Sequence, residues 1–235
     1  MESKRDWIRA MEKTWIVRFP TQNLTTFGIT NISYYVVTEP IYGELDSSKE
    51  EGVVRSGRVI AERPTVVTPN YAINLSGFTS DAYQYFRHLA QEYGYNAPGI
   101  LYQYKNEAHK MDIVSGPPID IARRISQDLD RKNENMSVVV VGVDELWDVS
   151  LLKFIYEFTS SSAAKNFQDL RVSGLLDPQH NYGGVPRAAI DQVEKLFQDV
   201  ENGGDPEVLK RELVWWGLFD YYQDRFLNLF RRTRK

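Results

Sequence analysis

The chain has 235 residues, 42% of them hydrophobic and 26% charged, with a formal net charge of −4. This is the composition of a folded soluble protein with one large domain or two modest ones. The absence of cysteine excludes disulfides, thiol catalysis and thiolate metal sites, and the acidic balance gives no general reason to expect nucleic acid as partner.

Residues 1–13 read as a short amphipathic helix with Trp7, Ile8 and Met11 on one side. Arg9, Glu12 and Lys13 interrupt any signal-peptide core there, and no window of the chain approaches the roughly 20 apolar residues of a membrane span. A cytoplasmic protein with no membrane partner is expected.

From Thr14 to Thr68 the chain is rich in β-branched and aromatic residues, which predicts strands over TWIVRF, TFGITNISYYVVTE and RVIAERPTVVT. Pro40 and Pro64 should end strands or sit at edges. The polar run from Tyr42 to Gly52 reads as an exposed loop, and Ser56-Gly57 as a tight hairpin turn.

Helix and strand alternate next. A helix is predicted from Ser80 to about Tyr93, stopped by Gly94. Gly99–Tyr104 and the short Met111–Val114 are strand candidates. Gly116-Pro117-Pro118 leads into a helix whose buried side holds Ile121, Ala122, Ile125 and Leu129. The unbroken run Val138–Val141 predicts a strand buried on both faces, and the apolar helix that follows Gly142 makes this the hub of the fold.

After Val143 the pattern is helical. One helix runs from about Trp147 to Thr159. Ser160-Ser161-Ser162 either interrupts it or caps a second helix, Ala163–Ser173. GLLDPQHNYGGVP reads as a loop. Pro186 opens a helix with Ile190, Val193, Phe197 and Val200 on one stripe, and Asn202-Gly203-Gly204 stops it. Asp205-Pro206 opens the last helical stretch. There Trp215, Phe219, Tyr222, Phe226 and Leu229 form one apolar stripe, broken in register only if Gly217 splits the helix. The stripe should be buried, on the protein's own body or in a homodimer, or should engage a protein partner.

The expected fold class is therefore α+β: a mixed β-sheet with packed helices in the N-terminal two-thirds and an all-helical C-terminal part. The boundary is placed between residues 1–143 and 144–235, with one continuous domain as the alternative.

The chemistry is thinly marked. Asp144, Glu145 and Asp148 follow the valine strand, where carboxylates serve as acid, base or metal ligands in α/β enzymes. Helix capping explains them more simply. His88, His109 and His180 are isolated from one another, with no HExxH spacing and no phosphate-binding glycine loop, so no metal and no cofactor are expected. The segment 149–177 has a winged-helix flavour, which would turn Lys165, Asn166, Gln168 and Arg171 toward DNA. Against it, residues 144–235 hold 12 Lys+Arg and 15 Asp+Glu, a net −3, where a DNA module presents a positive face. The leading expectation is a non-enzymatic interaction or ligand-binding protein. An enzyme using Asp144, Glu145 or Asp148 is the alternative, and a DNA-binding regulator the second.

Overall fold

Five strands that the sequence scatters over more than 100 residues assemble around the valine run. The structure is a computed structural model that describes residues 2–40, 50–73 and 80–232, with backbone only at 2–6, 73, 80–83, 85–86 and 231–232. The loop expected at 42–52 lies outside the described residues apart from its last three positions. The chain forms two compact units, one from residues 1–64 and 102–166, the other from 65–101 and 167–235. These units interleave along the chain, where the sequence reading places one boundary at 143/144 or none.

The first unit begins with helix α1 (Glu2–Lys13) and strands β1 (Trp15–Arg18), β2 (Thr30–Thr38) and β3 (Glu51–Ala61). It continues in β6 (Tyr104–Ser115), helix α4 (Pro118–Arg131), β7 (Ser137–Gly142) and most of helix α5 (Trp147–Val172). The sheet order is β1-β7-β2-β3-β6. β2 and β7 are parallel and every other pair is antiparallel, so the sheet is mixed.

Alternate side chains of the valine strand enter two different cores, which is why the run has no polar position. Val138 and Val140 join Ile32, Tyr34, Val36 and Val59 under Leu151, Phe154 and Phe158 of α5. Val139 joins Val37 and Val54 under Ile121, Ala122 and Leu129 of α4. Val138, Val139 and Val140 are fully buried, as the β-branched run predicts. Arg18 anchors the edge beside them. Its guanidinium donates to the Ser137 and Glu134 carbonyls and to the Asp130 carboxylate, all within 2.9 Å.

Three expectations are corrected here. Ser56-Gly57 is not a turn: β3 passes straight through it, and the irregularity is a bulge, since Ser56 pairs with Lys110 while Gly57 pairs with Ala108. The glycine serves close packing instead, because a Cβ at Gly57 would overlap the Tyr34 hydroxyl. Met111–Val114 is not a separate short strand but part of twelve-residue β6, whose polar stretch 105–110 is exposed as befits an edge strand. Ser160-Ser161-Ser162 neither breaks nor caps a helix. The hydroxyls of Ser160 and Ser161 donate back to the carbonyls of Tyr156 and Phe158, and buried Ser162 accepts the Leu24 N–H, so α5 is continuous.

The second unit holds β4 (Thr65–Val67), α2 (Pro69–Ile73), α3 (Ser80–Tyr93), β5 (Gly99–Leu101) and the end of α5, then β8 (Pro178–Gln179), β9 (Val185–Pro186), α6 (Arg187–Glu201), α7 (Pro206–Trp215) and α8 (Phe219–Arg232). The predicted strand Gly99–Tyr104 is thus two: β5 pairs with β4 here, and β6 starts at Tyr104 in the other unit. Within the loop 174–186, β8 and β9 pair over two residues each, the only departure from the all-helical expectation after Val143 among the described residues. Asp205 caps α7 by accepting the Glu207 N–H at 2.9 Å, and Gly217 (φ 70°) turns the chain between α7 and α8. The aromatic stripe packs into this unit's own core. Tyr222 and Phe226 are buried with Val193, Phe197, Leu209, Leu213, Trp216 and Leu218, and Trp215, Phe219 and Leu229 pack against them. Asp220, Gln223 and Asp224 face solvent. No helix among the described residues is long and apolar enough to cross a membrane.

Candidate functional site

β3 places Val53, Arg55, Gly57, Val59 and Ala61 on the sheet face that α5 covers, because side chains alternate along a strand. Arg55 is the one charge in that inward series. It meets Asp144, two residues past the end of β7, with Nη1 at 2.5 Å from Oδ1. Thr38, the last residue of β2 and fully buried, also donates its hydroxyl to Asp144 and accepts from Arg55 at 3.1 Å. Burial alone would raise the Asp144 carboxyl. The hydrogen bonds from Arg55 and Thr38, with the Arg55 charge, outweigh it and hold the group below the ordinary carboxylate range.

The acidic cluster foreseen in the sequence therefore does not converge. Asp144 joins the sheet through Arg55 and Thr38 instead of accepting from the helix start. Glu145 is exposed. Asp148 is exposed in the first turn of α5, where its carboxylate accepts the Val149 N–H at 2.9 Å. Negative charge there suits the helix dipole, as the capping reading expects. The residues of the DNA reading are split by burial. Lys165, Gln168 and Arg171 are exposed on α5, but Asn166 is buried, donating to the Leu24 carbonyl and the Thr26 hydroxyl at 2.8 Å and accepting from Tyr102. Among the described residues no group of His, Asp and Glu could hold a metal ion.

A different set of side chains does converge. Trp147 opens α5 and lays its ring across the sheet end. The Arg55 guanidinium stands 5.9 Å from the ring centroid, within cation–π range, and Tyr34 stacks on the ring at 6.2 Å. The β6 bulge adds His109 as the extra residue opposite Ser56 and Gly57. Bulges re-aim side chains in this way, often beside binding sites. Together Tyr34, Arg55, His109, Lys110, Met111 and Trp147 line an open pocket of about 240 Å³. The Tyr34 hydroxyl at its base is buried, and Asn106 faces it without completing a hydrogen bond. A larger cavity of about 490 Å³ at the α6–α7 turn is lined by Val200, Pro206, Leu229 and Phe230, with Glu201 its one ionisable side chain. Ligand sites pair an apolar wall with a few convergent polar groups, which favours the smaller pocket.

None of these lining residues except His109 was weighed as a functional residue in the sequence, and His109 only as an isolated histidine. The signal that could have found the site is Arg55, a lone cation in an alternating series whose other members are apolar or glycine. His88 lies 3.6 Å from Glu92 on exposed α3, and His180 is exposed in a 3₁₀ turn. Compared with protein-family models, curated proteins and solved structures, the chain has no match.

Proposed function

We propose that the chain is a non-enzymatic binding protein whose site is the pocket at the β6 bulge and whose ligand is a small oxyanion, a carboxylate or phosphate group on a compact body. The carrying observation is Arg55 over the Trp147 ring in a pocket that the bulged His109 also lines. Arg55 supplies positive charge and His109 a ring N–H, while Trp147 supplies a flat apolar wall. Arg55 already has an acidic neighbour in Asp144, so the affinity is modest. A cytoplasmic location is part of this proposal, supported by the lack of cysteine.

The other readings have less support. Asp144 is held ionised beside Arg55, and a carboxylate held below its ordinary range is a poor general base near neutrality. That weakens an enzyme built on Asp144, Glu145 and Asp148. A winged-helix element over 149–177 needs two helices where α5 is one. A protein partner or homodimer on the C-terminal aromatic stripe would compete with the core that Tyr222 and Phe226 already complete.

Calorimetric titration with inorganic phosphate and a panel of small mono- and dicarboxylates tests the proposal. At least one should bind with a dissociation constant below about 1 mM. His109→Glu, an exposed change that reverses the local charge, should weaken it at least tenfold. Absence of binding across the panel, or unchanged affinity in the variant, overturns it.

A further inference from the structure

β6 is an edge strand of twelve residues that pairs on one side with β3, and eight of the twelve are exposed. Among the described residues no turn or loop backbone bonds to its positions 105–115. Long exposed edges are templates for further pairing. Two features show what this edge fits. Met111 and Ile113 stand 63% and 58% exposed on the α5 face of the sheet. On the opposite face Lys110 and Asp112, two residues apart, present one charge of each sign and already contact each other at 2.8 Å.

From these we propose that β6 pairs antiparallel with β6 of a second copy of this chain about a two-fold axis at Met111. A two-fold antiparallel pair makes one residue face itself and sets every other residue i opposite its mirror position. The bulge at His109 and the strand end at Ser115 confine a regular ladder to 110–115, so the axis falls on Met111, Asp112, Ile113 or Val114. An axis at Asp112 sets two carboxylates directly opposite each other, which destabilises a strand pair. An axis at Ile113 or Val114 leaves Lys110 facing Gly116 or Pro118, beyond the strand. Only the axis at Met111 sets Lys110 against Asp112 of the second copy, twice by symmetry, with methionine on methionine on the other face. The regular ladder is then Lys110–Asp112, and Ile113 of the second copy comes to the His109 bulge, an apolar side chain beside the pocket described above. The five-stranded sheet becomes ten-stranded. A ladder this short belongs to the weak, transient class of contacts.

Sedimentation velocity from about 10 µM to about 1 mM protein reads the association. The unaltered chain should show a concentration-dependent dimer. Lys110→Asp and Asp112→Lys should each weaken it at least tenfold, because each puts like charges across the axis; Lys110 is exposed and Asp112 keeps 42% of its side-chain surface, so the fold is kept. An equimolar mixture of the two variants should dimerise again, since the carboxylate introduced in one copy then meets the ammonium introduced in the other. The intramolecular ion pair is absent in both, so only pairing between copies predicts that recovery. Met111→Lys, which sets two ammonium groups on the axis, should give the same loss without touching the ion pair. A monomer at every concentration, dimerisation unchanged in the single variants, or a mixture no better than its components overturns the proposal, and the second of these points to another surface such as α8. The mixing result does not depend on whether the pocket binds an oxyanion.

Discussion

Gly57 stands on β3 where any side chain would overlap the hydroxyl of Tyr34 on β2, its cross-strand partner. The absence of a side chain on one strand makes room for a full tyrosine on the other, and that tyrosine carries Trp147 on its face. Gly57→Ala should therefore cost about 1–3 kcal/mol, the usual range for overpacking a filled core. The Tyr34 hydroxyl is buried without a completed hydrogen bond, so Tyr34→Phe should be neutral or stabilising by up to about 1 kcal/mol. Tyr34→Phe should also recover part of the Gly57→Ala loss, the rest remaining because the added Cβ still meets the Glu107 carbonyl oxygen at 2.5 Å. Urea denaturation of both singles and the double reads all three; a strictly additive double would reject the steric account.

Val140 is fully buried between Val36 on β2 and Ile16 on β1. Val140→Asp should prevent folding, because an unpaired carboxylate would enter the core. In the unaltered protein, amide exchange should be slowest across 138–140 or in the part of α5 that packs on them. Fast exchange there would contradict the central role given to β7.

Arg55 and Asp144 keep only 18% and 12% of their side-chain surface. Arg55→Met strips Asp144 of its charge partner and should cost about 3 kcal/mol, the low end for a buried pair because some exposure remains. The pH dependence has a defined sign. The folded carboxyl lies below its ordinary 3.8, so its contribution is complete above that value and is lost as pH falls through the lower folded value. Asp144→Asn should be less stable than the unaltered chain at neutral pH, and the gap should narrow in strong acid. Melting temperatures at pH 7 and pH 2.5 would show a constant gap if the pair were unimportant.

Glu212 behaves in the opposite direction. Burial pushes its carboxyl up, and the bonds it accepts from Trp216 Nε1 at 3.1 Å and from the Tyr71 hydroxyl offset this only in part. A carboxyl with a raised folded value gives stability that is complete below its ordinary 4.5 and lost as pH rises through the folded value. Glu212→Gln should flatten the fall in melting temperature between about pH 4.5 and pH 7. It leaves an acceptor for Trp216. An unchanged slope would mean that Glu212 is not the group responsible.

The elements were legible where a single physical signal acted alone. Four consecutive valines could only be a strand covered on both sides, and Asp205-Pro206 and Gly217 mark helix ends by chemistry that acts within a few residues. The reading failed where distant residues decided the outcome. Gly57 looked like a turn because the residue that requires it, Tyr34, lies twenty-three positions earlier. The three serines looked like a break because nothing local reveals that their hydroxyls find acceptors one turn back or that Leu24 needs one of them. The candidate site was hidden for the same reason. Arg55, Asp144 and Trp147 are joined by strand order, which alternation alone does not supply. The aromatic stripe of α8 was foreseen as buried, and its partners proved to lie on α6 and α7 of the same unit.

The parallel pairing of β2 with β7 also sets a schedule during synthesis. β2 leaves the ribosome about 100 residues ahead of β7, a delay of about 5–20 s at ordinary elongation rates. Until then TNISYYVVT has only β3 to pair with, and β1 has no strand partner at all, since its place in the sheet is beside β7. The nascent chain thus carries a half-covered aromatic and β-branched strand for seconds, the condition in which holdase chaperones act.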